Sequence, residues 1–260
     1  MKRIVTALLL IPFIAWVTLA APAAVFLSVL AITGLLAYHE FDHITAKSGI
    51  AAAGWPGTVA GLALLFGPQP MVIAVLVAML GLALAVRVED FKGAMPAAGA
   101  FAVGVIYIFG AWRCAAELRA INHYWLLFAM LLSWAGDTAA YYTGRAIGKH
   151  RMAPRVSPAK SWEGSAGSVI GAMLAGGVYA HYLIPRVSLV EALALAAAGN
   201  VAGQIGDLCE SALKRGAGVK DSGNMLPGHG GWLDRLDSSF FSVPAVYALL
   251  LVFTRLGGSV

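Results

Sequence analysis

Charged side chains are scarce in this sequence. Of its 260 residues, only 12% are Asp, Glu, Lys or Arg, whereas 60% are hydrophobic and the mean hydropathy is +0.79. Soluble domains contain about 25% charged residues, so this chain has too few polar side chains to cover a water-soluble globule. The composition excludes a soluble domain and indicates an integral membrane protein.

Cysteine is also scarce. The two cysteines, Cys114 and Cys209, lie far apart in the sequence and form no Cys-x-x-Cys pair, so neither a disulfide framework nor a zinc cluster is indicated. The formal net charge is +5. In a membrane protein, such an excess is typical of basic cytoplasmic loops next to anionic lipid. We therefore expect membrane lipid, and no nucleic acid, as a partner.

Long apolar segments follow one another along the chain. About 20 apolar residues cross a bilayer as a helix, and we predict nine spans, at residues 4–20, 22–38, 50–67, 70–87, 97–113, 123–143, 165–184, 189–207 and 239–256. The predicted fold class is an all-α integral membrane protein, a polytopic helical bundle with a cytoplasm-facing polar cavity. The first segment also resembles a signal peptide, but the second apolar segment follows at once and favours a transmembrane helix. Alternatively, the first two segments form one hairpin that does not fully cross.

Basic residues are distributed unevenly between the two sides of the membrane. With nine spans, the side opposite the N-terminus receives only four of the 18 Lys and Arg residues: Arg113, Arg119, Arg186 and Arg255. The positive-inside rule then places the N-terminus and the loops 144–164 and 208–238 in the cytoplasm. An eight-span arrangement moves the N-terminus but keeps these loops together. We predict a multi-pass protein of the cytoplasmic (inner) membrane, with N-terminal helices over 1–120 and a catalytic domain over 121–260 whose active site faces the cytoplasm.

The first polar group lies at the end of an apolar segment. At helical spacing, Asp137 shares a face with Tyr141 and Arg145. A carboxylate inside a span is costly and normally faces a partner or a cavity. The position favours a functional role for Asp137, and an ion pair that serves only helix packing is the alternative.

The second polar group is the basic loop from Gly148 to Gly164. Its side chains of interest are Lys149, Arg151, Arg155, Ser157, Lys160 and Trp162. Several positive charges, a hydroxyl and an aromatic ring suit the phosphates and base of a nucleotide. Anchoring to lipid headgroups is the alternative, and basic loops commonly serve it.

The third and densest polar group runs from Asp207 to Asp237. If the preceding helix continues, one of its faces carries Asp207, Glu210, Ser211 and Lys214. Asp234 and Asp237 would share a face of one helical turn. Oxygen ligands from two segments suit Mg²⁺, which keeps water ligands and takes substrate phosphates. The segment predicts a site for metal-dependent phosphate chemistry.

The same segment holds glycines and basic residues. Three glycines would let the backbone approach a phosphate closely: Gly228, Gly230 and Gly231. Four basic residues can offset negative charge during phosphoryl or nucleotidyl transfer: Lys214, Arg215, Lys220 and Arg235. A separate cluster, formed by His39, Glu40, Asp42 and His43, is interpreted as an interfacial helix end rather than a metal site, because no matching ligand group can be identified.

These motifs resemble those of phosphatidate cytidylyltransferases, also called CDP-diglyceride synthases. The run from Ser211 to Asp237 reads Ser-x-Leu-Lys-Arg-x4-Lys-Asp-x-Gly-x2-Leu-Pro-x-His-Gly-Gly-x2-Asp-Arg-x-Asp and is similar to the family signature. The segments Gly136-Asp137-Thr138 and Ser157-Pro-Ala-Lys-Ser-Trp-Glu-Gly164 resemble its two upstream motifs. Three positions depart from the family pattern: Ala159 replaces a second Lys, Ser161 replaces Thr, and Trp232 replaces an aliphatic residue.

The resemblance implies conversion of CTP and phosphatidic acid to CDP-diacylglycerol and diphosphate by a dimeric membrane enzyme that uses Mg²⁺, with a second cation left open. It implies metal ligation by Asp207 and Asp234, with Asp237 close by and Asp221 as a further candidate. In a consistent mechanism, the phosphates are held by Lys160, Lys214, Arg215 and Lys220. His229 orients a phosphate, shuttles a proton or bonds within the glycine loop. The predicted substrate-binding residues are Asp137, Ser157, Lys160, Trp162, Glu210, Ser211, Gly230, Gly231 and Arg235.

Other functions fit a membrane protein with polar loops. A CDP-alcohol phosphotransferase would need an Asp-Gly-x2-Ala-Arg-x8-Gly-x3-Asp-x3-Asp motif, which the sequence lacks. A CTP-dependent polyprenol or phytol kinase is closer in style, but it would not put the α-phosphate of CTP into lipid. An ion or lipid transporter would use Asp137 as a relay, although transporters seldom need a polar loop of this length and composition.

Overall fold

A computed structural model describes residues 2–184, 186–225, 230–255 and 257, with side chains from residue 11 onward. Apart from one short hairpin, its regular structure is helical. The helices are α1 (Lys2–Leu19), α2 (Ala23–Lys47), α3 (Trp55–Phe66), α4 (Pro70–Ala85), α5 (Ala94–Val105), α6 (Ala111–Ile121), α7 (His123–Ile147), α8 (Trp162–Leu183), α9 (Leu189–Gly216), α10 (Leu233–Leu236) and α11 (Ser239–Arg255). A 3₁₀ turn (Phe91–Gly93) precedes α5, and a π-helical segment (Ile106–Gly110) joins α5 to α6.

Four helical stretches in the described part of the chain are long and apolar enough to cross a membrane: Ala23–Lys47, Phe91–Ile121, Leu189–Gly216 and Leu233–Arg255. Two further apolar helices, α3 and α4, are shorter. Both begin with proline in the first turn, where its fixed φ fits the helix and its missing N–H costs no hydrogen bond. The protein is therefore a helical membrane protein. Each of the nine predicted segments overlaps a helix, but a count of nine membrane spans stays a prediction.

Two helices extend well beyond the ends that hydropathy predicted. Helix α2 continues to Lys47 instead of ending near residue 38, and α9 continues to Gly216 instead of ending at residue 207. Hydropathy marks where side chains become polar, whereas backbone hydrogen bonds can continue into water. The extension of α9 confirms that Asp207, Ser211 and Lys214 lie on one helical segment at spacings that share a face.

The loop 144–164 contains regular structure that the all-α prediction lacked. Strands β1 (Arg151–Ala153) and β2 (Ser157–Ser161) pair antiparallel, with Arg151 opposite Ser161 and Ala153 opposite Ser157. The strands are too short to show an alternating pattern of apolar and polar residues, which is why the sequence did not reveal them. The hairpin gives the basic loop a defined shape.

One compact unit comprises Met1–Leu10, Pro22–Arg113 and Ala212–Leu236. Its core includes the fully buried Val105, Ile108 and Phe109. A Cβ added at Gly34 or Gly61 would meet the ring of Phe109, so these small residues let the helices close around that ring. The short α10 packs against α2 in this unit.

The second compact unit comprises Ile11–Ala21, Cys114–Ser211 and Asp237–Val260. Helices α7 and α8 pack against each other, and α11 packs on α7. A Cβ added at Gly167 would meet Thr143, and one at Gly171 would meet Ala139, so glycines allow α8 to approach α7 closely. The predicted division at residue 120 stays a functional prediction.

Candidate active site

The second unit contains a cavity of about 230 Å³ formed by α7, the hairpin, α8 and α9. The polar residues that line it are Asp137, Tyr141, Lys160, Ser161, Ser165, Ser168, Gln204, Asp207 and Ser238. The cavity therefore brings together Asp137, Lys160 and Asp207, one residue from each of the three polar groups of the sequence.

An ion pair lies at this cavity. The Nζ atom of Lys160 is 2.6 Å from Oδ2 of Asp207, and the two side chains are 27% and 32% exposed. The Ser211 hydroxyl donates to Oδ1 of the same carboxylate at 3.3 Å. Lys160 projects from β2 and Asp207 from α9, so the pair joins the basic hairpin to the acidic helix. A partly exposed cation beside a carboxylate can exchange partners with a phosphate group.

Glu163 fixes the hairpin to the start of α8. Its carboxylate accepts hydrogen bonds from the backbone N–H groups of Lys149 and His150, both at 3.2 Å, and lies 2.6 Å from Nδ1 of His150. The backbone N–H of Glu163 itself, followed by the His150 side chain, lowers the pKa of Glu163 to about 2. The Ser161 hydroxyl caps α8 by accepting from the Gly164 N–H at 3.1 Å. These contacts hold the strand that carries Lys160.

A chain of polar side chains leads from the cavity into the apolar interior. The Ser165 hydroxyl donates to Oε1 of Gln204 at 2.6 Å, and Nε2 of Gln204 donates to Oδ1 of Asn200 at 2.8 Å. Nδ2 of Asn200 donates to the Leu132 carbonyl at 3.1 Å. We did not predict Ser165, Asn200 or Gln204 as site residues from the sequence. The signal was available, because Asn200 and Gln204 are polar residues four apart inside an apolar helix, and intramembrane polar residues often mark functional sites.

Helix α7 contains all three residues that were predicted to share one of its faces, Asp137, Tyr141 and Arg145. The guanidinium of Arg145 donates to the Tyr141 hydroxyl at 3.2 Å, one turn apart on the helix, and Tyr141 lines the cavity with Asp137. Ser157 lies on β2. Trp162 begins α8 and is 60% exposed, which leaves its ring accessible. The stacking role of Trp162 stays a prediction.

The first unit contains a separate polar network. Nζ of Lys214 lies 2.5 Å from Oδ1 of Asp234, and these side chains are only 12% and 5% exposed. Oδ2 of Asp234 accepts the N–H groups of Ser222 at 2.9 Å and Gly231 at 2.8 Å. Gly230 has φ +79°, and a Cβ there would lie 2.6 Å from the same oxygen, so glycine is required on both grounds. Asp234 thus links three parts of the polar segment, at Lys214, Ser222 and Gly231.

Glu40 completes this network, a role that its interpretation as part of an interfacial helix end did not include. The side chain is buried, and it accepts hydrogen bonds from the Ser222 hydroxyl and from the N–H groups of Trp232 and Leu233. Its neighbour Asp42 does serve a helix end, since it accepts from two backbone N–H groups just before α3. The buried position of Glu40 was not predicted from the sequence, because α2 was expected to end before this residue.

The remaining predicted residues differ in environment. Arg215, Lys220, Asp221 and Arg235 are exposed. Glu210 is fully buried. His229 and Gly228 lie outside the described residues, so the structure gives them no position.

The predicted carboxylate ligands differ in how well they suit Mg²⁺. In the part of the chain that the structure describes, no group of three or more His, Cys, Asp or Glu side chains is arranged to hold a metal. Asp237 is largely buried, and the expected helical turn does not contain it, because α10 ends at Leu236. Asp207 fits best. It lines the cavity, remains 32% exposed and offers oxygen ligands to which water and phosphate oxygens can be added.

The sequence matches known proteins over nearly its whole length. A sequence model of the cytidylyltransferase family matches residues 1–253. A phosphatidate cytidylyltransferase of Brucella suis is 34% identical over 97% of this chain and 94% of its own length. Those of Bacillus subtilis and Haemophilus influenzae are 38% and 44% identical over 60% and 46% of this chain. These two alignments cover about half of the relatives' own length, 59% and 43%. The chain belongs to the cytidylyltransferase family.

Proposed function

We propose that this protein transfers the cytidylyl group of CTP to phosphatidic acid, giving CDP-diacylglycerol and diphosphate. Family membership and the similarity to phosphatidate cytidylyltransferases support the reaction type. The observation that carries the proposal is the polar cavity with its Lys160–Asp207 pair, set among apolar helices. Such a site can meet a soluble nucleotide and a lipid headgroup at the membrane surface.

The reaction needs positioning and charge compensation more than proton transfer. An oxygen of the phosphatidic acid phosphate forms a bond to the α-phosphorus of CTP, the bond to the β-phosphate oxygen breaks, and diphosphate leaves with that electron pair. A phosphate monoester is already anionic near neutral pH, so no strong general base is required. Fixed cations that neutralise the transferring phosphates supply the main catalytic effect.

Lys160 is the residue best placed to hold the diphosphate leaving group. Its strand is fixed by the contacts of Glu163, and its ammonium already lies against a carboxylate at the cavity. Asp207 keeps that ammonium oriented, and Gln204 with Ser165 offers neutral hydrogen-bonding groups on the cavity wall. Lys214, Arg215 and Lys220 remain candidates for the other phosphate contacts.

Asp207 would hold Mg²⁺, and water and CTP phosphates would complete its ligands. When bound, the ion would supply positive charge next to the reacting phosphates. Asp234 and Asp237 stay candidate ligands from the sequence, and a second cation stays open. The structure gives Asp234 three hydrogen-bonding partners of its own, so an ion there would have to share those oxygens.

The proposal includes an arrangement in the membrane. Nine helices cross the cytoplasmic (inner) membrane, and the cavity opens to the cytoplasm. The uneven distribution of Lys and Arg supports this orientation, and the four described spans support a multi-pass chain. A homodimer is proposed on the family resemblance.

Labelled CTP distinguishes this function from its nearest rival. Purified protein would receive phosphatidic acid, Mg²⁺ and CTP labelled either at the α- or at the γ-phosphate. We expect α-label, and no γ-label, in the lipid fraction. Transfer of γ-label to a lipid alcohol would instead identify a CTP-dependent kinase. Asp207→Asn should lose activity, whereas the exposed Glu89→Gln should not.

A further inference from the structure

We propose that Glu40 is a positioning residue for this reaction, acting through the polar segment that carries Lys214 and Asp234. The inference rests on the proposed function. Glu40 lies in α2, far from that segment in sequence, and it is only 3% exposed. Its carboxylate receives the Ser222 hydroxyl at 2.7 Å, the Trp232 N–H at 3.0 Å and the Leu233 N–H at 2.9 Å.

Both carboxylate oxygens of Glu40 are required. Oε1 accepts from the N–H of Trp232, and Oε2 accepts from the N–H of Leu233 and from the Ser222 hydroxyl. A glutamine has only one oxygen, so either rotamer of its amide would point an NH₂ group at a backbone N–H donor. An aspartate is one methylene shorter and would not reach these donors. The site is therefore specific for glutamate.

Two glycines lie so close to this carboxylate that no side chain would fit at their positions. A Cβ added at Gly223 would lie 2.5 Å from Oε1 of Glu40, and one at Gly231 would meet Oε2 of Glu40 and the Ser222 hydroxyl. Both glycines belong to the polar segment that resembles the family signature. The close approach of Glu40 explains why both positions are glycine, and this explanation does not involve a bound phosphate.

Ser222 connects Glu40 to the functional residues. Its hydroxyl donates to Glu40 and also accepts from the Asp234 N–H at 3.3 Å, while its own N–H donates to Oδ2 of Asp234 at 2.9 Å. Asp234 in turn lies 2.5 Å from Nζ of Lys214. Displacing the Glu40 carboxylate therefore shifts Lys214, a candidate phosphate contact, and Asp234, a candidate metal ligand.

The first test compares Glu40→Gln with the matched control Glu89→Gln, in which an exposed glutamate changes. We expect Glu40→Gln to lower kcat by about tenfold or more, with KM for CTP changed by less than about threefold, as for an interaction realised in the transition state. The amides of Trp232 and Leu233 should exchange hydrogen faster in this variant. Unchanged exchange at both amides would overturn the inference, even if the wild type proves to have another activity.

The second test separates positioning from general destabilisation. The effects of Glu40→Gln and Lys214→Met should be non-additive, because both act through Asp234, whereas Glu40→Gln and Lys160→Met should add. Additivity of Glu40→Gln with Lys214→Met would contradict the proposal. If Glu40→Gln does not fold, Ser222→Ala takes its place; it removes the hydroxyl bonds to Glu40 and from the Asp234 N–H and keeps the two backbone N–H bonds to Glu40. It should lower kcat about threefold to tenfold, and full activity would overturn the proposal.

Discussion

Replacing Lys160 should separate its catalytic role from its structural one. In Lys160→Met the ammonium is lost while the hairpin keeps its anchor at Glu163, so the strand should remain in place. The lysine lies 2.6 Å from Asp207, and both side chains are about one-third exposed or less. At an effective dielectric constant of about 20, the attraction between these charges is about 6 kcal/mol, and desolvation offsets most of it.

The net loss of stability should therefore be about 1.5–3 kcal/mol, the range for a hydrogen bond between charged groups. The loss of activity should be larger in relative terms. Removing one preorganised group that stabilises transition-state charge costs about 10²–10³ in kcat. We expect kcat for CDP-diacylglycerol formation to fall by that factor in Lys160→Met, in protein that still elutes as a folded species in detergent.

The exchanged pair, Lys160→Asp with Asp207→Lys, gives the sharpest control. It restores an ion pair and should recover much of the thermal stability. Activity should stay low, because the cation then projects from α9 instead of β2 and residue 207 no longer offers the carboxylate proposed to hold Mg²⁺. The assay is initial-rate formation of labelled lipid, with the unfolding midpoint measured on the same preparations. Activity within about tenfold of wild type in the exchanged variant would refute the assignment of Lys160 to the leaving group.

Three further changes test the fold, the hairpin and the orientation. Gly136→Ala would place a Cβ against Nδ2 of Asn200 and should lower stability by about 1–3 kcal/mol; Gly99→Ala, whose Cβ meets nothing within 4 Å, should not lower the unfolding midpoint, because alanine favours a helix interior over glycine, and equal midpoints for both variants would contradict the packing. Because the pKa of Glu163 is lowered from 4.5 to about 2, its contribution to hairpin stability is fully present above pH 4.5 and is lost as the pH falls towards 2. Glu163→Gln should therefore speed tryptic cleavage within the hairpin at pH 8, and unchanged cleavage would speak against the anchor. A cysteine in place of the exposed Arg155, in a chain without the native cysteines, should react with an impermeant maleimide in inside-out vesicles only; labelling in right-side-out vesicles would reverse the orientation.

Hydropathy predicted the helices well but not their ends. Every predicted apolar segment overlaps a helix, because about 20 apolar residues have no stable alternative in lipid. The polar ends of α2 and α9 could not be predicted in this way, since a helix that leaves the membrane keeps its hydrogen bonds while its side chains become polar. The hairpin at 151–161 was not predicted either, because its strands are too short to show an alternating pattern of apolar and polar residues.

The sequence identified many residues of the candidate site but not how they are grouped. Asp137, Lys160 and Asp207 were each chosen from a different polar segment, and the structure lines one cavity with all three. Partners could not be read from spacing, because Lys160 and Asp207 are brought together by the packing of a strand and a helix. Glu40 was missed because its importance depends on a long-range contact with Trp232 and Leu233, which no local pattern encodes.

The most direct test of the proposed cytidylyl transfer is the stoichiometry of the reaction itself. Purified wild-type protein would be incubated with CTP, phosphatidic acid and Mg²⁺, and the lipid product identified by mass spectrometry while diphosphate release is counted. We expect one diphosphate released for each CDP-diacylglycerol formed, and neither product from Asp207→Asn. Release of CDP with formation of a new phospholipid, or no cytidine in the lipid fraction, would contradict the proposed function.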